Sequence, residues 1–582
     1  MTNKTTRRDM KRHALASATS LLLAGGLLAG CGGAEGETPA TPDTEDTALK
    51  FDASAYTTVN VTVDGVATKV RQYRIVYVAK PIRMATTQTA LGGASLTLTD
   101  PHAYQTMIVS VPESSVADEK TALYFAVNNS GWWASPVATT VTEGKAFVST
   151  SNTDNIGAAL KAGYIVVNVG TRSRGGARAE DGRWTGKAPA PVVDAKAAIR
   201  YLRLNDSRMP GSAERIVMNG TSGGGGLTAA VSASGNSADY LPFLADIGAA
   251  GVTGSGSSAT STLKDDVFAA VAYCPINNLG NADSGYEWEY NAVRTDTNTP
   301  ALNGVAYSAG PQATASAALA AAFPAYVNSL GLKLADGSAL TDASLRALVT
   351  AQLKAEIERQ IAAGTPVPAL GENFTVVQRG VPSTVPNDWL TLSGTGTTAT
   401  VAAIDYPRFL KFVTTTIPLK TVVAFDAVGV TENKNATTGA WNISGETNLF
   451  GSESFQYANF TEWAWTNNAV EGDGSGVDDT GLSWSNYLTS STSTLAQQLK
   501  LINPLAYLNT AADTAPHWYV RHGMIDRDTA FSMQLLLQHA IRNDPSVKTL
   551  DFKLNYLTGH SGNYDVQEAF AWIQARLAAA NP

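Results

Sequence analysis

From about residue 50 short apolar runs, some unbroken and some alternating with polar residues, take turns with longer stretches in which apolar residues recur three and four positions apart. The runs fall at 59–63, 73–78, 107–111, 122–127, 164–169, 215–218 and 267–273, and again at 517–520 and 550–554. Runs of this length, rich in β-branched and aromatic residues and bounded by turn residues, predict β-strands. A run without alternation has no polar face, so most of these strands are predicted to lie buried on both sides in a mainly parallel sheet. Helical spacing predicts helices over 191–204, 529–541 and 565–577. The last sets Val566, Phe570, Ile573 and Leu577 on one face, with Asp565 as its cap. Strands and helices in alternation predict an α/β fold with helices on both faces of the sheet.

Between about Asn277 and Asn503 this rhythm stops. An alanine-rich helix is predicted over 312–330 and an amphipathic one over 341–363, where Leu345, Leu348, Gln352, Leu353, Ile357 and Ile361 follow helical spacing with Glu356, Glu358 and Arg359 outside. Serine, threonine and glycine crowd 391–400 and 472–485. The 582 residues exceed what one compact core accommodates. The expected arrangement is therefore a core in two parts, 50–276 and 504–582, with 277–503 as a large, mostly helical inserted lid.

The N-terminus reads as an export signal. Arg7, Arg8, Lys11 and Arg12 precede an apolar run over 21–28 that is too short to span a bilayer. Leu28-Ala29-Gly30-Cys31 looks like a lipobox, so residues 1–31 are expected to be a lipoprotein signal with Cys31 as the acylated residue. Residues 32–49 read as a flexible tether. The expected location is the bacterial cell envelope, with membrane contact through the lipid alone.

Composition narrows the chemistry. A net charge of −8 offers no basic face to neutralise phosphates, which argues against a nucleic-acid partner. There are two cysteines, and once Cys31 is lipidated no intrachain disulfide remains. Cys274 follows an apolar run and reads as a buried small hydrophobe. No metal or organic cofactor is expected.

Gly220-Thr221-Ser222-Gly223-Gly224 stands between a predicted strand and a small-residue helix. Acyl transfer needs a serine thrust out of a tight strand-to-helix turn, and the flanking glycines permit that backbone. Ser222 is thus the candidate nucleophile, and the Gly223 amide, at a helix N-terminus, a candidate oxyanion donor. Among six histidines, His560 lies in a turn between the last strand and the last helix. That position and the chain order serine, acid, histidine make it the candidate base. His517 and His522 bracket a strand as core or strand-end residues, and His539 falls in a helix. Asp526, after the penultimate strand, is the candidate acid, and Asp528 would face the cavity. Asn128-Asn129-Ser130-Gly131-Trp132-Trp133 follows an early strand, and the amides of Gly131 or Trp132 are candidates for the second oxyanion donor.

Further segments carry a resemblance. They include Tyr273-Cys274-Pro275-Ile276-Asn277-Asn278, Ala424-Phe425-Asp426, Gly445-Glu446-Thr447-Asn448, Arg521-His522-Gly523 with Asp526-Arg527-Asp528, and His560-Ser561-Gly562-Asn563-Tyr564-Asp565. With the serine turn they resemble the bacterial (subtype B) tannases, the tannin acyl hydrolases of the α/β-hydrolase fold, over nearly the whole chain from about residue 104. The resemblance implies hydrolysis of galloyl esters, a triad of Ser222, Asp526 and His560, and acyl-holding residues Asp528, Glu446 and Lys420. The chain departs from these relatives in two places. A polar stretch between Asp426 and Glu446 loosens the match at Lys420 and leaves Glu432 or Lys434 as alternatives, and Gly223 stands where relatives often carry alanine. A feruloyl-type or general carboxylesterase, and a non-catalytic surface binding protein, are the other readings of the same fold.

Overall fold

The computed structural model describes residues 44–302, 304–378, 380–427, 446–468, 481–491 and 493–580. The expected signal with Cys31, most of the tether, and Glu432 and Lys434 lie outside the described residues. The last tether residues are ordered rather than loose: Thr44–Ala48 is helical, Asp46 accepts the Gly251 amide at 2.8 Å, and Leu49 and Phe51 are buried.

Ten strands form one sheet. In chain order they are β1 (Thr57–Val63), β2 (Val66–Val76), β3 (Thr106–Pro112), β4 (Ala122–Val127), β5 (Ala146–Phe147), β6 (Ile165–Val169), β7 (Ser212–Thr221), β8 (Ala269–Tyr273), β9 (His517–Gly523) and β10 (Thr549–Asn555). Their order across the sheet is β10-β9-β8-β7-β4-β6-β3-β2-β1-β5. From β10 to β6 every neighbouring pair is parallel; β6–β3, β3–β2 and β2–β1 are antiparallel. The apolar runs explain this division. Every residue of β6, β8 and β9 is buried, whereas β1 alternates exposed and buried positions as a strand with one wet face does.

Helices cover both faces. α1 (Asn155–Lys161) and α8 (Val566–Ala579) pack Ile156, Leu160, Phe570 and Ile573 against Tyr124, Val166 and Val217. On the other face α2 (Ala190–Leu204), α3 (Gly223–Ala233) and α7 (Phe531–Asn543) join the larger core with Phe125, Val167 and Met218. Asp565 precedes α8 but makes no capping bond. Its carboxylate instead accepts the Tyr273 and Tyr519 hydroxyls at 2.7 and 2.6 Å and Arg521 Nε at 2.9 Å. Charge-assisted bonds from a buried arginine outcompete a local cap.

The chain between β8 and β9, which are adjacent in the sheet, carries α4 (Ala282–Tyr290), α5 (Pro311–Ser329) and α6 (Asp342–Ala362). Leu345, Val349, Leu353, Ile357 and Ile361 form the buried stripe of α6, and Glu356, expected outside, is buried with them because Arg359 at 2.7 Å and the Tyr556 amide at 3.2 Å satisfy its carboxylate. The segment that follows α6 is not helical: Asn373–Gln378 pairs with Val381–Pro386, and Leu390–Ser393 with Thr400–Ile404, as antiparallel hairpins. Two buried carboxyls clasp this region. Asp283 of α4 accepts the amides of Ala424, Phe425 and Asp426 at 2.8–2.9 Å, and Asp426 accepts those of Phe460 and Thr461 at 2.8 Å. Burial pushes the pKa of Asp426 up to about 6; burial and the neighbouring Asp426 charge push that of Asp283 up to about 8.

Candidate active site

β7 ends at Thr221 and α3 begins at Gly223, so Ser222 occupies the turn alone, at φ 61° and ψ −122°. A non-glycine residue at positive φ costs on the order of 1–3 kcal/mol and persists only where the surroundings impose it. Here they do. The Ser222 amide donates to Tyr273 O at 2.9 Å, and Ser222 O accepts from Gly226 and Ile276 at 2.9 and 3.1 Å. Cβ atoms on Gly220 or Gly225 would lie 2.2 Å from Gly224 O or 2.5 Å from Tyr273 O, so the glycines let strand and helix meet.

His560 reaches this hydroxyl from the loop between β10 and α8. Its Nε2 is 2.8 Å from Ser222 Oγ, and its Nδ1 is 2.8 Å from Asp526 Oδ2. Three side chains from three loops at the carboxyl ends of β7, β9 and β10 therefore form one hydrogen-bonded chain. The Asp565 network described above holds the far end of the histidine loop, and a Cβ on Gly562 would lie 1.9 Å from Thr221 Oγ1. Gln378, from the first hairpin of the insertion, donates to Ile525 O at 3.1 Å and fills the space beside Gly559. It thereby touches the residue before the acid and the residue before the base.

Asp526 is fully buried. Burial alone would raise its pKa, but the His560 imidazolium, the bond to His560 and the Asp528 amide at 2.8 Å hold it down at about 2. Burial opposes a charge on His560, yet Asp526 overrides it and raises the imidazole well above its usual range. His522 is the buried strand-end residue among the sequence alternatives, 3.4 Å from Asp526 Oδ2; burial lowers its pKa and favours the neutral ring. Cys274 is buried as expected, but at φ 37° its sulfur lies 4.0 Å from His560 Nε2 and 3.2 Å from Ser561 O, a proximity no local pattern reveals. Cys274, Asp526 and His560 have ligand atoms within 4.8 Å of one another, but a metal ion there would have to break the Ser222–His560–Asp526 chain.

The expected oxyanion amides divide. The Trp132 amide is committed to Asn129 O at 2.8 Å, while the Gly131 amide takes no part in that turn's two bonds. Gly223 is the first residue of α3, where N–H groups have no acceptor within the helix. A Cβ on Gly223 would lie 2.0 Å from Trp132 N and 2.3 Å from Asn129 O, so the two loops are in direct contact.

The three expected acyl-holding residues are linked indirectly. Asp528 Oδ1 pairs with Arg527 at 2.6 Å, and its Oδ2 stands 3.9 Å from His560 Nδ1, beyond hydrogen-bond reach. Buried Glu446 lies 3.5 Å from Arg174, and its amide donates to Phe425 O at 2.9 Å. Lys420 places its ammonium over the Phe425 ring at 4.1 Å, and its amide donates to Tyr286 Oη, whose hydroxyl donates to Arg527 O at 2.9 Å. Phe425 and Tyr286 thus connect all three positions. Sequence reasoning missed Arg174 and Gln378 as neighbours of the site, since each is defined by tertiary contact alone.

A parallel sheet with a serine in a positive-φ strand-to-helix turn defines an α/β-hydrolase, and its relatives define the class further as a carboxylic ester hydrolase. The family model described as BD-FAE matches residues 120–305. The native tannin acyl hydrolase of Lactobacillus plantarum is 30% identical, covers 91% of this chain and 99% of its own, and superposes with a TM-score of 0.66. The tannase of Fusobacterium nucleatum is 28% identical over 91% of this chain and 99% of its own, with a TM-score of 0.65. A tannin acyl hydrolase in complex with ethyl gallate is 30% identical over 90% of this chain and 98% of its own, with a TM-score of 0.65. No curated protein matches in sequence. The chain belongs to the bacterial tannase family.

Proposed function

We propose that the protein hydrolyses galloyl esters through an acyl-enzyme formed on Ser222. The observation that carries this reading is the continuous hydrogen-bonded chain from Ser222 Oγ through His560 to Asp526, at 2.8 Å in each link. As Ser222 Oγ attacks the ester carbonyl, His560 Nε2 takes its proton, and Asp526 holds the tautomer and balances the imidazolium. The amides of Gly223 and Gly131 receive the oxyanion. His560 then passes the proton to the departing alkoxide. In the second half-reaction it activates water, which releases the acid and restores Ser222.

Asp528 and Glu446, with Lys420 nearby, would take the phenolic hydroxyls of the acyl group: carboxylates accept from phenols, and an ammonium donates to a phenolic oxygen. The gallate ligand of a solved relative supports this choice of acyl group. Residues 1–31 we read as a lipoprotein signal, with Cys31 as the lipid attachment point in the cell envelope. Among the described residues no helix is long and apolar enough to cross a membrane.

The test is a rate panel of methyl gallate, methyl ferulate and nitrophenyl acetate on protein lacking residues 1–31, with Ser222→Ala beside it. The expected result is a preference for methyl gallate and a loss on the order of 10⁴–10⁶ in kcat for Ser222→Ala. Retained turnover by that variant would overturn the mechanism, and preference for nitrophenyl acetate would overturn the acyl specificity alone.

A further inference from the structure

We propose that Arg174 is a positioning residue that ties the oxyanion loop to the acyl-binding carboxylate of the insertion, so that one guanidinium holds both; this rests on the reading of Gly131 and Glu446 given above. Arg174 Nε donates to Gly131 O at 2.6 Å, and a terminal nitrogen faces Glu446 Oε1 at 3.5 Å. The Arg174 and Glu446 side chains are each 6% exposed. The guanidinium also lies over the Trp133 ring, 5.1 Å from its centre. Gly175 permits this approach, since a Cβ there would lie 2.0 Å from that ring. The Arg174 carbonyl accepts from Ala134 at 3.0 Å, which sets the two loops side by side.

The consequence for Gly131 follows from backbone geometry. Arg174 fixes the carbonyl of the peptide joining Gly131 to Trp132, and Asn129 O fixes the amide of the same peptide. The N–H of Gly131 lies in the preceding peptide, whose carbonyl, Ser130 O, accepts from the Trp133 amide at 3.1 Å; with the planes on both sides held, Gly131 stays at φ 57° and its N–H keeps one direction. The guanidinium does this with Nε while a terminal nitrogen meets Glu446, a planar fork that a lysine ammonium cannot reproduce. Arg174 touches no reacting atom. It acts through the amide it aligns and the carboxylate it orients.

The experiment compares the wild type, Arg174→Ala, Arg174→Lys and Glu446→Ala for kcat and KM on methyl gallate and methyl benzoate, with guanidinium added back to Arg174→Ala. A lost oxyanion donor costs ~10²–10³, so a donor merely released from its hold should cost roughly 10–100-fold in kcat on both esters. Added guanidinium should recover part of that loss, and Arg174→Lys should recover KM for the gallate better than kcat. A folded Arg174→Ala with kcat on methyl benzoate within about twofold of the wild type, or a loss confined to KM, overturns the proposal. Should Arg174→Ala fail to fold, Arg174→Lys carries the same test through its kcat on methyl benzoate. Glu446→Ala reports separately: equal losses on both esters would refute the acyl-binding role of Glu446 and leave the Arg174 result on methyl benzoate to stand or fall alone.

Discussion

Replacing Gly223 by alanine isolates what the contact between the serine turn and the 128–133 loop contributes. The added methyl would lie 2.0 Å from Trp132 N and 2.3 Å from Asn129 O, both backbone atoms that cannot rotate aside. Restoring ordinary contact near 3.4 Å requires the loop or the turn to retreat by more than 1 Å. A misplacement of ~1 Å in a catalytic arrangement can cost ~10²-fold, which agrees with the ~10²–10³ lost with one oxyanion donor. Gly223→Ala is therefore expected to lower kcat on methyl gallate ~10²-fold, or ~2.7 kcal/mol in the barrier, with KM almost unchanged. Steady-state kinetics on purified protein measures this, and a thermal melt checks that the fold persists. A folded variant with kcat within about threefold of the wild type would show that the loop yields to a methyl group, and would refute the reasoning.

Other consequences are equally direct. Because Asp526 stabilises the imidazolium of His560, the base becomes neutral only above the ordinary histidine value of 6.5, so kcat/KM should rise with pH through a midpoint above it. Asp526→Asn should move that midpoint down and lower kcat by ~10⁴; an unchanged midpoint would remove Asp526 from the chain. Asp528→Ala should weaken methyl gallate by roughly 10–100-fold more than methyl benzoate, the value of a hydrogen bond to a charged group, and equal losses would assign it to the structure. Cys274 is 1% exposed and burial pushes its thiol pKa up, so native protein should resist iodoacetamide and react once unfolded. Stoichiometric labelling of the native state would contradict that burial.

How much was legible in the sequence depended on whether the signal was local. The doubly buried strands announced themselves as unbroken apolar runs, and 122–127 coincides with β4 to the residue. The serine turn and the histidine loop carry their signals within a few residues, so Ser222 and His560 are candidates on local pattern, and Asp526 follows from its place after the penultimate strand. The two hairpins of the insertion could not: Val381–Pro386 begins and ends at exposed positions and contains two prolines, which reads as loop. Asp565 looked like a cap because it precedes a helix, but Tyr273, Tyr519 and Arg521 arrive from distant strands and claim its carboxylate. Lys420 was placed by resemblance to hold an acyl hydroxyl, and the structure sets its ammonium over Phe425, a partner five positions on that charge pattern does not reveal.

The strands that flank the insertion, β8 and β9, run side by side in the same direction. Whatever leaves the sheet after Tyr273 comes back to the neighbouring register at His517, so material can be gained or lost in between while the strand pairing beneath the serine remains as it is. One exit and one entrance, a single strand apart, let the inserted segment diverge at its own pace from the sheet that carries Ser222. Gln378 and Arg174 are among the places where that independence is limited, since each bridges the two parts.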